Sequence, residues 1–479
     1  MASTIETAIR SVVGKGIEKV ADYNRSRMRG DAPNIFLTGI HRPMTTEETI
    51  ADLRVDGGIP ASLDGRYLRI GPNPVTPPNP AAYHWFTGDG MAHGVRIQGG
   101  KALWYRNRWI RSNAVSDALG EPRAPGRRSP FSDNANTNIV GIAGRTWAIV
   151  EAGANPVELS EGLDTVAHNP FDGTLDAPFS AHPHRCPLTG EMHAISYDAM
   201  TRDRVWHVVV DSAARVIRQE PVAVSDGPSI HDCAITASRI VILDLPVTFS
   251  MKAVIAGHRF PYVWNKAHRA RVGLLGRGDS GGDVVWCDVD PCYVFHPGNA
   301  LDLPDGRVVM DVVAHETMFA ESRNGPDSPA SRLERWTIDP VARRVDRQVL
   351  FDHPQEFPRY DERRTGRPCR WLYSMALPKG VGGELSIADT RLFRTDLESG
   401  AVAIRDFGPG RHPGEFVFVE RPGGEAEDDG WLIGLVIDMN RETTELQILN
   451  ADDFQGAPQA VVHIPHRVPP GFHGNWVAD

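Results

Sequence analysis

Cysteine is scarce in this chain. The 479 residues hold five (Cys186, Cys233, Cys287, Cys292 and Cys369), an odd number spread over distant segments. That excludes a disulfide framework and fits a reducing compartment. No apolar run is long enough to span a bilayer, and the N-terminus lacks the basic-then-apolar pattern of a secretory signal, so a cytoplasmic location is expected. Basic charge is not in excess either. With 51 Lys and Arg against 61 Asp and Glu, the net charge is −10, and no general nucleic-acid-binding surface is expected. No repeat of the tryptophan-aspartate kind recurs, and no stretch reads as an internal linker.

Glycine (46) and proline (37), by contrast, are frequent. From about residue 60 they punctuate short runs with strand character, among them Val205–Val210, Arg239–Leu243, Gly306–Val313, Arg332–Ile338, Gly430–Ile437 and Glu445–Leu449. Strand pairs recur without helices between them, which argues against a parallel α/β sheet and for an all-β sandwich, barrel or propeller. Nearly 400 residues of this texture exceed one sandwich, so a propeller is the better reading. Residues 73–80 are too proline-rich for regular structure, and Gly88-Asp89-Gly90 reads as a turn. At the N-terminus, residues 3–22 predict a helix. Ser3 and Glu6 have capping-box spacing, and Ile5, Ile9, Val12, Val13, Gly16 and Val20 share one face, while Gly14 and Gly16 weaken it. Such a helix either packs on its own domain or lies on a membrane surface, a role that the basic run Arg25–Arg29 would assist. The expected organisation is an amphipathic segment, residues 1–30, ahead of one domain, residues 31–479.

Among 18 histidines, four sit in comparable settings. His182 lies in Phe-Ser-Ala-His-Pro-His, His231 in Ser-Ile-His-Asp-Cys, His296 in Val-Phe-His-Pro-Gly and His473 in Gly-Phe-His-Gly-Asn-Trp. Each adjoins a Pro, Gly or Asp that restrains the local backbone. They would share one metal only if the fold gathered strand ends from distant segments, and no pair has the short spacing of a zinc motif. Taken alone, surface or core roles stay open for all four.

The order of several further motifs is more specific. Arg69-Ile70-Gly71-Pro72-Asn73-Pro74, Phe86-Thr87-Gly88-Asp89-Gly90-Met91, Ala135-Asn136-Thr137-Asn138 and the four histidine segments, in this sequence, resemble the carotenoid cleavage oxygenases from about residue 35 to the C-terminus. The resemblance implies a seven-bladed β-propeller capped by loops and short helices. It implies one Fe(II) per chain, held by His182, His231, His296 and His473. Glu151, Glu356 and Glu415 match the carboxylates that accept the ligands' other ring N–H. Thr137 matches a residue whose methyl faces an open position on iron. His184 and His315 match no ligand motif, and His315 is expected to be structural. Ile70 stands where the family usually has Asn, which puts a local contact in doubt.

The implied activity is cleavage of a conjugated C=C bond by O2 to two carbonyl (aldehyde) products. Its substrate would be an apolar polyene, reached by peripheral association with a membrane. Val150 lines the expected substrate tunnel at the position where the stilbene-cleaving branch has Lys, and residues 113–130 lack that branch's Tyr. A carotenoid or apocarotenoid dioxygenase is therefore expected, with a lignostilbene- or resveratrol-type dioxygenase as the alternative. Trp85 and Phe86 are candidates for the tunnel or for ordinary core. Two readings from other classes are a metal-dependent propeller hydrolase, which would use mainly carboxylate ligands, and a non-catalytic propeller scaffold, which would need no iron.

Overall fold

The computed structural model describes residues 4–30, 33–129, 132–378 and 384–479, with side chains from residue 16 onward. The architecture is all-β and propeller-like. Antiparallel sheets of four, five and eight strands follow one another along the chain, and one two-stranded hairpin stands outside them. Each strand run anticipated above is present, most of them lengthened by up to two residues at an end, as in Ser331–Asp339 and Thr443–Asn450, while Gly306–Val313 is shifted to Val308–His315. In the eight-stranded sheet, two four-strand runs meet at a single parallel pair, Asp288 with Arg344.

Both ends of the chain close the ring of sheets. The C-terminal strand Gly474–Ala478 pairs with Gly65–Pro72 in the first sheet. The early strand Val55–Gly57 pairs with Ala460–Ile464 in the last. Exchanging strands this way ties the termini together and leaves no unpaired seam between first and last sheet. Burial follows position. Gly430–Asp438, flanked on both sides along its length, is buried throughout, whereas Arg344–Phe351, which meets its second neighbour only at Arg344, has no fully buried residue.

The motifs of the sequence meet in space. Asn136 Nδ2 donates to the carbonyls of Phe86 (2.9 Å) and Gly88 (2.8 Å), and Gly90 N–H donates to Asn134 Oδ1 at 2.9 Å. A Cβ at Gly90 would lie 1.9 Å from the Ala135 carbonyl oxygen, so only glycine fits there. Likewise a Cβ on Gly71 would sit 2.4 Å from Gly471 Cα. That close approach lets the Arg69–Gly71 segment clamp the loop that carries His473: Ile70 N–H donates to the His473 carbonyl at 3.1 Å, and Phe472 N–H to the Ile70 carbonyl at 2.9 Å. Ile70 itself is fully buried among Leu68, Ala92, Ile110 and Ile139, so an apolar contact fills the position that raised doubt.

The N-terminal helix spans Thr4–Arg27, five residues beyond its expected end, and takes in the start of the basic run. Ser3 and the side chains of Ile5, Glu6, Ile9, Val12 and Val13 lie outside the described residues. The last turns dock on the chain itself. Ala21 is buried, Asn24 Nδ2 donates to the Ile255 carbonyl at 2.7 Å, and Arg25 Nε to the Gly257 carbonyl at 2.9 Å. Val20 and Tyr23 remain exposed beside Met251 and Ile255 of the short helix Met251–Ile255. Among the described residues, no helix is long and apolar enough to cross a membrane.

Candidate metal centre and substrate cavity

His182, His231, His296 and His473 lie together, each buried, with one ring nitrogen apiece all within 4.8 Å of one another. They come from four different sheet edges or the loops entering them. In five of their six pairings the ring centroids stand 4.4–5.1 Å apart, for example 4.4 Å for His182 and His231 and 4.7 Å for His296 and His473. Irregular strand pairing aims the surrounding side chains. The register shifts between Val294 and Ala300 around His296, between Glu356 and Arg359, and between Pro413 and Phe416 around Glu415. Such bulges redirect side chains that a regular pleat would send elsewhere. Phe357, next to Glu356, holds φ at +54°, a conformation costing a bulky residue about 1–3 kcal/mol. Its ring stacks on His296 at 5.1 Å.

Three of the imidazoles are oriented by carboxylates. His231 Nδ1 meets Glu151 Oε1 at 2.8 Å, His296 Nδ1 meets Glu356 Oε2 at 2.6 Å, and His473 Nδ1 meets Glu415 Oε1 at 3.0 Å. With Nδ1 committed as donor, Nε2 carries the lone pair. His231 Nε2 and His296 Nε2 then face each other at 3.2 Å, and His182 Nε2 is buried without a partner among the described residues. Lone pairs converging in a buried space are satisfied by a cation, so the donor set fits a metal, and four imidazole nitrogens suit Fe(II). Burial, reinforced by the neighbouring imidazoles, pushes His182 well below its ordinary pKa. Burial also lowers His473, against the pull of Glu415. Both therefore present neutral rings. His296 is held up by Glu356, which outweighs burial, so a metal there would compete with a proton for Nε2.

The carboxylates have partners of their own. His315, fully buried, meets Glu356 Oε1 at 2.7 Å through Nε2, which accounts for its expected structural role. Burial raises Glu356, but His296 and His315 outweigh it and hold the group far below the usual carboxylate range. Glu415 takes Arg359 Nη1 at 3.2 Å and the Gly474 N–H at 2.8 Å. Against burial, His473 and Arg359 bring it down to about 2. Among the described residues His182 has no such acceptor, since Asp232 Oδ2 lies 3.8 Å from its Nδ1. Instead Asp232 Oδ1 pairs with His184 Nε2 at 2.7 Å.

A cavity of about 680 Å³ opens onto His231, His296 and His473. Thr137 and Val150 line it, as do Trp85 and Phe86. The Thr137 hydroxyl donates to Asn136 Oδ1 at 2.9 Å. Aromatic residues that sequence reasoning had not singled out complete the wall, including Phe260, Phe295, Phe357 and Phe472. The last three are chain neighbours of His296, Glu356 and His473, the one sequence signal that would have found them. Further out, Glu18, Asp22 and Arg25 of the N-terminal helix reach the same cavity.

Fold, histidine cluster and cavity together describe a propeller-like protein whose four buried histidines fit a metal beside a large cavity, and the comparisons supply its family. The family model described as retinal pigment epithelial membrane protein matches residues 41–478. A carotenoid cleavage oxygenase of Mycobacterium tuberculosis is 41% identical over 93% of this chain and 98% of its own. The chain belongs to the carotenoid cleavage oxygenase family. Among solved structures, the cobalt-substituted apocarotenoid oxygenase of Synechocystis superposes with a TM-score of 0.81 at 26% identity, covering 91% of this chain and 97% of that one. The lignostilbene dioxygenase of Pseudomonas brassicacearum shares the fold, with a TM-score of 0.83 at 24% identity over 94% of this chain and 99% of that one.

Proposed function

We propose that this protein is an Fe(II)-dependent dioxygenase that cleaves one conjugated C=C bond of a carotenoid or apocarotenoid. The observation carrying this reading is the convergence of four buried histidines, three of them oriented by glutamates and facing a large cavity with an aromatic wall. His182, His231, His296 and His473 would hold one ferrous ion per chain, and the chemistry it supplies when bound is activation of dioxygen. In the net reaction one C=C bond breaks, two C=O bonds form, and each product carries one atom of O2. The chain's own part is positional. Glu151, Glu356 and Glu415 fix the tautomer and tilt of three rings. The aromatic wall keeps water out and holds the polyene extended, so that one double bond lies beside the centre. Thr137, with its hydroxyl committed to Asn136, would leave its methyl to restrict where dioxygen sits.

We read the propeller as seven-bladed, taking the eight-stranded sheet as two blades joined at Asp288 and Arg344. Residues 31–479 would form the oxygenase domain. The reading is tested by metal analysis of protein purified without added metal, followed by product analysis with an apocarotenal under oxygen. About one iron per chain and two aldehyde-bearing products are expected. A chain without iron that still cleaves the substrate would overturn it, and a chain that binds iron but cleaves no polyene would leave only a metal-binding propeller.

Glu356→Gln keeps an acceptor for His296 but removes the charge that raises ligand basicity. It should lower iron affinity or turnover by roughly 10–100-fold. Titration of the metal-free variant with Fe(II) checks this, and wild-type affinity together with wild-type turnover would remove Glu356 from the site.

The N-terminal helix fits peripheral attachment to a membrane. Its last turns line the outer cavity, and exposed Val20, Tyr23, Met251 and Ile255 stand beside Lys19, Arg27 and Lys252. Deleting residues 1–30 should weaken liposome binding and reduce cleavage of membrane-borne substrate more than of detergent-dispersed substrate. Equal liposome binding with and without the segment would exclude it as the anchor.

A further inference from the structure

A smaller cavity, about 190 Å³, reaches His182, His296 and His473 from the opposite side. The chain itself shows the opposition. Thr137, Phe295 and Phe472 line the large cavity, whereas Asn138, Pro297 and Asn475, one to three residues further along the same segments, line the small one. The two walls differ in chemistry. The small cavity carries the carboxylates of Asp232, Glu362 and Glu415 against the guanidiniums of Arg185 and Arg359. Arg359 is neutralised from both sides, by Glu362 at 2.7 Å and Glu415 at 3.2 Å. Arg185 and Glu362 stand exposed at the rim, while His182, His296, His473 and Glu415 form a buried floor. Partway down, ligand atoms of His184, Asp232 and Cys233 come within 4.8 Å of one another, a second group able to hold a metal ion.

We propose that this polar cavity is the route by which a divalent metal ion reaches the four histidines, with His184 and Asp232 as a transient binding pair on the way. The proposal rests on the metal centre argued above. The large cavity also carries carboxylates, among them Asp22, Asp89 and Asp133, but a hydrated dication entering it must pass the aromatic wall of Phe86, Phe260, Phe295 and Phe472, where little replaces the lost coordination. In the small cavity, imidazole, carboxylate and amide groups replace water step by step. The His184–Asp232 pair suits a way station, offering three ligand atoms at most with only His184 partly exposed, and it passes the ion to an adjacent set of four imidazoles that binds it more completely.

The test follows metal uptake, not turnover. Metal-free full-length protein is mixed with Co(II), quenched with chelator at intervals, and assayed for protein-bound cobalt. His184→Phe removes the nitrogen and narrows the passage. Glu362→Lys reverses a rim charge on an exposed side chain and leaves Arg359 its second partner, Glu415. Each should slow uptake about tenfold or more while the final content stays near one ion per chain. His184→Asp, which restores a ligand atom, should recover most of the rate, and Val150→Phe, which obstructs the large cavity, should load at the wild-type rate. Wild-type uptake rates in both His184→Phe and Glu362→Lys would overturn the proposal, as would slowing confined to Val150→Phe. Wild-type protein that takes up no cobalt at equilibrium would instead refute the metal centre itself, which separates the two failures.

Discussion

His296→Ala is expected to abolish oxygen-dependent polyene cleavage while the protein stays folded. The ring of sheets is closed by strand exchange at both termini, through backbone pairing that does not use this side chain. What is lost is local: one of four converging nitrogens, and the partner of Glu356 Oε2. Glu356 keeps His315 at 2.7 Å and the Phe357 N–H at 2.7 Å, so the stranded carboxylate should cost no more than about 1–3 kcal/mol of stability. The activity loss should exceed the roughly 10–100-fold expected for disturbing only a carboxylate behind a ligand. His231→Ala should behave in the same way, leaving Glu151 with neither oxygen paired. Iron content, a thermal unfolding curve and oxygen uptake, measured on the same preparation, check the three parts. Full turnover by a folded, iron-free variant would show that the four histidines are not the centre.

A long apocarotenal should be cleaved faster than resveratrol at matched concentration. The argument rests on Val150, which lines the cavity and packs against the apolar cluster around Leu68, Ile139 and Ala148. A phenol hydroxyl placed there would lose hydration without gaining a partner. At about 1–3 kcal/mol, that is roughly 5–150-fold in kcat/KM. A polyene pays nothing at the same place. Two groups offer a phenol some relief: the Tyr262 hydroxyl and Glu151 Oε2, both in the cavity wall, buried and unpaired among the described residues. Tyr262→Phe should therefore lower whatever stilbene turnover exists and spare the apocarotenal. Val150→Lys should impair polyene cleavage, since it sets an ammonium into an apolar wall, and it should not by itself create a stilbene enzyme. Product aldehydes and oxygen uptake report both substrates. Resveratrol turning over faster than every polyene tested would reassign the substrate class and leave the histidine cluster and fold untouched.

Much of the fold was legible because strands carry their signal locally. Alternation and flanking turns located Ser331–Asp339 and Gly430–Asp438 to within two residues. The helix end was misplaced because Arg25 and Arg27, read as a separate basic run, favour a helix C-terminus, and Arg25 is fixed there by Gly257, which the helix meets only after folding.

Sequence by itself determined the chemistry available: which histidines stand beside Pro, Gly or Asp, that Val150 and not a cation precedes Glu151, and that Gly71, Gly90 and Gly471 carry no side chain. Only the tertiary structure decided that His182, His231, His296 and His473 share one space, that His315 braces Glu356, and that a polar cavity approaches the same histidines from behind. The reason is distance along the chain. His182 and His473 are 291 positions apart, and their approach depends on every sheet between them closing in register, which no local pattern encodes.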